Sequence, residues 1–422
     1  MIAALTAAST PVPASRLAEP IDLTLGPGAT DGRIVDVGVS WLEADRPEPL
    51  ARGGPYPLRV TLPPLAFSVD GTVTSVIRSD GHWRHTFVLE SPGPDVRHAL
   101  EICALEQRIY SDAVARVGRE EAGHAVDTRA ERAETLTALL DVLHRPRPLL
   151  ELWEDPPLDP ELIEILDRYL PHASRPAFIR RWAWAGCRLT MLGGATAIED
   201  VTSVKVATVL MNMLVDDVVD RARDRGAFET AARILTDGLS VNADTKRPEI
   251  EAIARLRAFV GARVRRYPQF AKLGEVLAFD FAQIAHTNRY MAVAHGFPGL
   301  LNPVEYLWHE SLAMNLMVHL TVDAMSQRTF DPREFGRARE VVLQAGRVAR
   351  LTNNATLSRE RAEGNEIADG EGEGWLARWP EEYDALVRLH RATRIRTLDL
   401  TPLVEHMPRF LVTMNLSMAD LL

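Results

Sequence analysis

The sequence predicts a mainly α protein: an all-α barrel or bundle around a central cavity, preceded by a small antiparallel β-meander and a few helices. Three observations predict it. Four short runs rich in β-branched and aromatic residues (PLRVT, LAFSV, TVTSVI and WRHTFVL) lie between residues 57 and 89. From Pro94 the apolar residues instead recur every three or four positions. After Asp159 that helical period persists almost to residue 422, interrupted mainly at Gly and Pro clusters. No internal repeat of fixed period accompanies it.

Taken in order, residues 1–33 are rich in Ala, Pro, Thr and Gly without periodicity and are expected to form a flexible, irregular tail. Residues 34–150 form an N-terminal extension, first β and then helical. Asp70-Gly71 and Asp80-Gly81 separate the last three β-like runs, and both residue types tolerate the positive φ of a tight hairpin turn. VRHALEICALEQRIYSDAVARV and TRAERAETLTALLDVLH read as helices, and the proline-dense RPRPLL and EDPPLDP mark a boundary. Residues 151–422 form the all-α domain, opening with Pro160 at the first helical position. Breaks are expected near Pro171, Gly193-Gly194, Arg225-Gly226, Asp244 to Pro248, Gly296 to Pro303, Asp331-Pro332 and Asp369 to Gly374. They leave roughly ten helices, more than a four-helix bundle uses.

The chain is 46% hydrophobic and 25% charged, the balance of a soluble protein with a substantial core. A net charge of -10 disfavours nucleic acid or an anionic membrane surface as the main partner. Two cysteines, Cys103 and Cys187, make neither a disulfide framework nor a zinc pattern. No run is long and apolar enough for a membrane span, and the first residues lack a basic signal-peptide region, so a cytoplasmic location is expected.

Chemistry concentrates in VATVLMNMLVDDVVD, residues 206–220. On a helix Asp216 and Asp220 lie one turn apart with Asp217 beside them, so three carboxylates converge at the end of an apolar segment. A hard divalent cation, Mg2+ or Mn2+, would relieve their repulsion; a solvated helix end is the plain alternative. Downstream, in LTNNATLSRE, Asn353, Thr356 and Glu360 fall at i, i+3 and i+7 on one helix face and offer oxygen ligands of the same hard kind.

Asp216-Asp217-Val218-Val219-Asp220 resembles the DDxxD motif of class I terpene synthases, and the stretch ending at Glu360 resembles their second metal motif. The likeness spans about residues 159–422. It implies the α-helical class I terpenoid synthase fold, three Mg2+ ions held with diphosphate (Mn2+ an alternative), and a prenyl diphosphate as the small-molecule partner. The second motif departs from the family: strict four-residue steps would begin at Thr352, whereas counting from Arg350, which sits like the arginine preceding the motif in relatives, selects Asn353. NPVEYLWHE resembles the family's PxxEYL segment, but His309 and Glu310 stand where many bacterial members carry a diphosphate-sensing arginine.

The resemblance implies Arg350, Arg181 and Arg289 as catalytic diphosphate-binding arginines, with Arg180 and Arg347 also facing substrate. Phe178, Trp182, Trp184, Phe279, Phe281, Tyr290, Tyr306 and Trp308 are aromatic candidates for the pocket wall, although ordinary core packing explains any one of them. TNNATLSRE lacks the second aspartate pair of chain-elongating prenyltransferases, and Leu214 interrupts any DxDD of protonation-initiated cyclases. The expected reaction is ionisation and cyclisation of an allylic diphosphate, of C20 length or a precyclised labdane type. A chain-elongating enzyme and a non-catalytic all-α scaffold are the alternatives, and a homodimer is compatible with either enzyme.

Overall fold

The computed structural model describes residues 21–24, 32–62, 65–124, 127–143, 152, 157–169, 174–191, 198–220, 224–238, 247–297, 302–356, 377–409 and 412. The protein is mainly α, with a β-barrel at its N-terminal side.

Six strands, β1 (Ile21–Thr24), β2 (Gly32–Gly38), β3 (Trp41–Arg46), β4 (Pro55–Leu62), β5 (Leu65–Ser79) and β6 (His82–Leu89), close in the order β1-β2-β3-β6-β5-β4. β1 runs parallel to both of its neighbours, and the other pairs are antiparallel. This corrects the expected small meander and irregular tail: β1 and the start of β2 lie within residues 1–33. Four residues of IDLT carry too little pattern to declare a strand, and their register comes from pairing with β2 and β4.

Asp80-Gly81 makes the expected hairpin turn, with φ of 42° and 87°. Asp70-Gly71 does not; it lies inside the long β5, paired with Pro57 and Tyr56. Gly71 serves packing there, because a Cβ would stand 2.7 Å from Leu58 Cδ1. Alternate β4 residues Tyr56, Leu58, Val60 and Leu62 are buried with the period of two that a barrel interior requires. His85 and Phe87 bury from β6, and His85 Nε2 accepts a hydrogen bond from the Leu50 backbone N–H at 3.0 Å.

The helices follow as α1 (Pro94–Glu121), α2 (Arg129–Leu143), α3 (Pro160–Tyr169), α4 (Ser174–Leu189), α5 (Ile198–Asp220), α6 (Arg225–Asp237) and α7 (Pro248–Val264). Then come α8 (Phe270–Gly296), α9 (Pro303–Ala313), α10 (Leu316–Ser326), α11 (Pro332–Thr356), α12 (Trp379–Ala392) and α13 (Thr401–Glu405). Pro160 opens α3 as expected, and the Asp159 carboxylate caps it by accepting from the Glu161 backbone N–H at 2.9 Å. α5 packs against α4, α6, α7, α8 and α10, which explains a helix that is apolar nearly all round. A break that the sequence did not announce separates α9 from α10, where Asn315 takes a left-handed φ of 62°. The expected breaks at Gly193-Gly194 and Asp369 to Gly374 lie outside the described residues. No described helix is long and apolar enough to cross a membrane.

α1 joins the two parts of the chain, lying against β2 on one side and α12 on the other. Arg116 is fully buried and grips Asp384 of α12 through NH2 at 2.8 Å and Nε at 3.1 Å, while its NH1 donates to Thr135. Arg132 Nε donates to the same carboxylate at 2.8 Å. Further along the seam, Glu106 pairs with His406 Nδ1 at 3.0 Å and Arg409 Nε at 3.3 Å.

Candidate functional site

α5 ends on its acids: Asp216 and Asp217 are exposed while Leu214, Val215, Val218 and Val219 around them are buried. The last turn holds no basic residue. A helix C-terminus carries partial negative charge, so each carboxylate there is disfavoured by about 0.3–1 kcal/mol before their mutual repulsion is added. The arrangement is one that a cation relieves.

Polar side chains at i, i+3, i+7 and i+11 on α5 form a single face: Lys205, Thr208, Asn212 and Asp216. The first three tie α5 to its neighbours. Buried Lys205 donates to Asp323 Oδ2 at 2.9 Å and to the Thr190 carbonyl at 3.1 Å. Thr208 accepts from Asn315 Nδ2 at 2.9 Å, and Asn212 Nδ2 donates to the Ala313 carbonyl at 2.7 Å. These bonds seat the α9–α10 break against α5 and leave α9 beside the end that carries Asp216.

α11 closes on α9 at Gly346, where an added Cβ would stand 2.8 Å from the Ser311 carbonyl oxygen. One turn later comes Arg350. Its NH2 lies 2.7 Å from Glu310 Oε2 and 2.9 Å from the Tyr306 hydroxyl, both on α9, and its guanidinium carbon lies 5.8 Å from the Tyr306 ring centre. The pair is largely buried, at 14% and 7% exposure of the two side chains. Burial works against the Arg350 charge, but the Glu310 carboxylate, the Tyr306 hydroxyl and the Asp216 carboxylate outweigh it and raise the pKa, so the guanidinium stays charged. Arg350 Nε is buried and finds no partner among the described residues; Arg347 Nε, one turn earlier, is in the same position. Arg350, Tyr306 and Glu310 thus meet between α11 and α9, and the Asp216 carboxylate of α5 is near enough to act on the Arg350 charge.

Tyr306, His309, Glu310 and Ala313 share one face of α9, opposite Val304 and Trp308. His309 stacks on Tyr290 of α8 with ring centres 4.2 Å apart and lies 5.5 Å from His286. Burial lowers its pKa, the His286 charge adds to that, and Glu305 opposes it.

The other residues named from the sequence are placed as follows. Trp308 is 42% exposed on the outer face of α9, and Phe279 is 56% exposed in a surface hollow of about 330 Å³ with Glu275, Val276, Phe335 and Arg339. Trp184 is buried in the core. Arg180 is committed to Asp167 of α3 at 3.1 Å, and Arg289 to Glu229 of α6 at 2.6 Å, so both point to surface carboxylates rather than to Arg350. Arg181 is half-buried on α4. The side chains of Phe178, Trp182, Asp220, Thr352, Asn353 and Thr356, and all of Glu360, lie outside the described residues. Sequence reasoning missed Tyr306 and Glu310 as the anchors of Arg350; their i, i+4 spacing on one face was the available signal.

Two adjacent carboxylates at an unfavourable helix end fit a hard cation such as Mg2+ or Mn2+ in donor chemistry. Among the described residues, no three His, Cys, Asp or Glu side chains are grouped to hold a metal. Compared with protein-family models and with curated proteins, the chain matches none.

Proposed function

We propose that this protein is a class I terpene synthase that depends on Mg2+. It would ionise an allylic prenyl diphosphate, of C20 length or a precyclised labdane type, release diphosphate, and cyclise or rearrange the resulting carbocation. What supports the reading is that the exposed Asp216 and Asp217 end α5 and that the Asp216 carboxylate acts on the charge of Arg350, a largely buried arginine of α11. An anion-binding arginine set against cation-binding carboxylates is the pairing that a metal–diphosphate leaving group requires.

Asp216 and Asp217, with Asp220 and the stretch around Asn353, Thr356 and Glu360, would hold the metal. Bound there, Mg2+ would stabilise the charge that develops on the leaving diphosphate. Arg350 contributes N–H donors that stay fixed while that charge develops, so little reorganisation accompanies the reaction. The burial of Arg350 and Glu310 removes competing water from that side and strengthens each charged contact. The polar bonds from Lys205, Thr208 and Asn212 hold α5 rigid beneath the acids. No protein nucleophile is needed: the C–O bond breaks with its electron pair leaving on diphosphate, and loss of a proton or capture of water ends the cation.

Incubation with C10, C15 and C20 prenyl diphosphates and a labdane-type diphosphate, with Mg2+ and analysis by gas chromatography and mass spectrometry, tests the reading. Hydrocarbon or alcohol products that vanish in excess chelator are expected, along with a Mg2+-dependent rise in melting temperature that Asp216→Ala removes. Absence of product from all four substrates, or full turnover in chelator, would overturn it.

A further inference from the structure

Arg350 has five N–H donors, and the two on NH2 are spoken for by Glu310 Oε2 at 2.7 Å and the Tyr306 hydroxyl at 2.9 Å. Its Nε is buried and without a partner among the described residues, so that donor remains. A long side chain ending in the interior does not hold one orientation by itself; it needs its far corner fixed. Both fixing groups come from one face of α9, one turn apart, and that helix is held against α11 by the close approach at Gly346 and against α5 by the Asn212–Ala313 bond. The anchor and the acids therefore belong to one rigid frame.

We infer that Glu310 and Tyr306 are positioning residues: they lock one corner of the Arg350 guanidinium so that its remaining donor receives the diphosphate group brought to Asp216 and Asp217. The inference rests on the proposed function and adds to it the residues that make the anion-binding arginine competent. Glu310 is indispensable despite carrying the same charge sign as the ligand. Without it Arg350 must desolvate unpaired or swing away, and a buried charge that loses its partner is strongly disfavoured.

The test is calorimetric binding of inorganic diphosphate, in the presence of Mg2+, to the full chain and to Glu310→Gln, Glu310→Ala, Tyr306→Phe and Arg350→Ala, with melting temperatures measured in parallel. Glu310→Ala is expected to weaken diphosphate binding about tenfold or more, the size of one charge-assisted contact, with Glu310→Gln intermediate and Tyr306→Phe about threefold. In an Arg350→Ala background the Glu310 substitutions should change diphosphate binding no further, which a merely structural role could not produce. Unchanged or tighter binding by Glu310→Ala, or an equal loss with Arg350 absent, overturns the inference. Because the probe is inorganic diphosphate, the two ideas separate: a protein that shows the coupled loss but turns over no prenyl diphosphate keeps this inference and loses the enzymatic reading. A wild-type protein that binds no diphosphate loses both.

Discussion

Two of the buried arginine–carboxylate clusters among the described residues differ in completeness. At the seam between α1 and α12, Arg116 uses Nε, NH1 and NH2, and Asp384 accepts from two arginines. At the end of α5, Arg350 has one corner engaged and a buried Nε without a described partner, with the exposed Asp216 acting on its charge. A saturated cluster can only hold helices together, since any ligand would have to displace a bond already made. An unsaturated one has donors to offer. Saturation, rather than burial or charge, separates the two.

The largest effect should come from breaking the open cluster on its acid side. Asp216→Ala is expected to reduce turnover at least about ten-thousandfold, equivalent to roughly 5.5 kcal/mol of transition-state stabilisation. Its melting temperature without Mg2+ should stay level or rise slightly, because the substitution removes a negative charge from a helix C-terminus. A large loss of stability would place Asp216 with the structural cluster instead. The mirror experiment, Asp384→Ala, should show the opposite signature. Leaving Arg116 and Arg132 facing each other in the interior should destabilise the protein by about 3–5 kcal/mol in denaturant unfolding, while kcat per folded molecule holds.

That division was partly legible in the sequence. The acids of α5 were visible because 3.6-residue spacing alone puts Asp216 and Asp217 at the end of an apolar run. Arg350 could be located by its place before the polar stretch at Asn353. Its anchors could not, because helical periodicity identifies a face of α9 but not the helix it meets; the pairing of Tyr306 and Glu310 with Arg350 is a product of tertiary packing. The exposure of Phe279 and Trp308 was illegible for the same reason, since only tertiary structure decides which face of a helix is covered. The barrel closed through β1, whose four residues hold their register by pairing with β2 and β4 rather than by their own pattern. The Arg116–Asp384 seam was invisible, because nothing local in a helix marks a buried ion-pair partner more than 250 residues away.

A pH experiment sharpens the comparison on the structural side. Burial inside the barrel, reinforced by the nearby Arg46 charge, pushes the His85 pKa down to about 4 from the ordinary 6.5. The folded-state value is depressed, so the stabilisation is complete above pH 6.5, where both states are neutral. It is lost as acid protonates the unfolded chain first, down to about pH 4. The total loss is up to about 3 kcal/mol. Urea unfolding between pH 7 and 4 should show this slope, and His85→Asn, which keeps an acceptor for the Leu50 N–H, should flatten it. An unchanged slope would mean that other groups govern acid stability here.

The smallest effect probes what makes the open cluster possible. Gly346 lets α11 approach α9 so closely that a methyl group would stand 2.8 Å from the Ser311 carbonyl oxygen, a backbone atom that cannot swing aside. Gly346→Ala must therefore push the helices apart. Overpacking of this kind typically destabilises by about 1–3 kcal/mol, partly offset by the better helix propensity of alanine, about 1 kcal/mol. The functional consequence should exceed the structural one, because Arg350 is carried one turn beyond the contact and its two bonds to α9 tolerate little displacement. Magnesium-dependent diphosphate affinity should fall severalfold, whereas the Arg116–Asp384 seam, which does not involve this helix contact, should be untouched. If Gly346→Ala binds diphosphate like the wild type, then Arg350 reaches its ligand by its own flexibility, and the rigid-frame account of the open cluster fails.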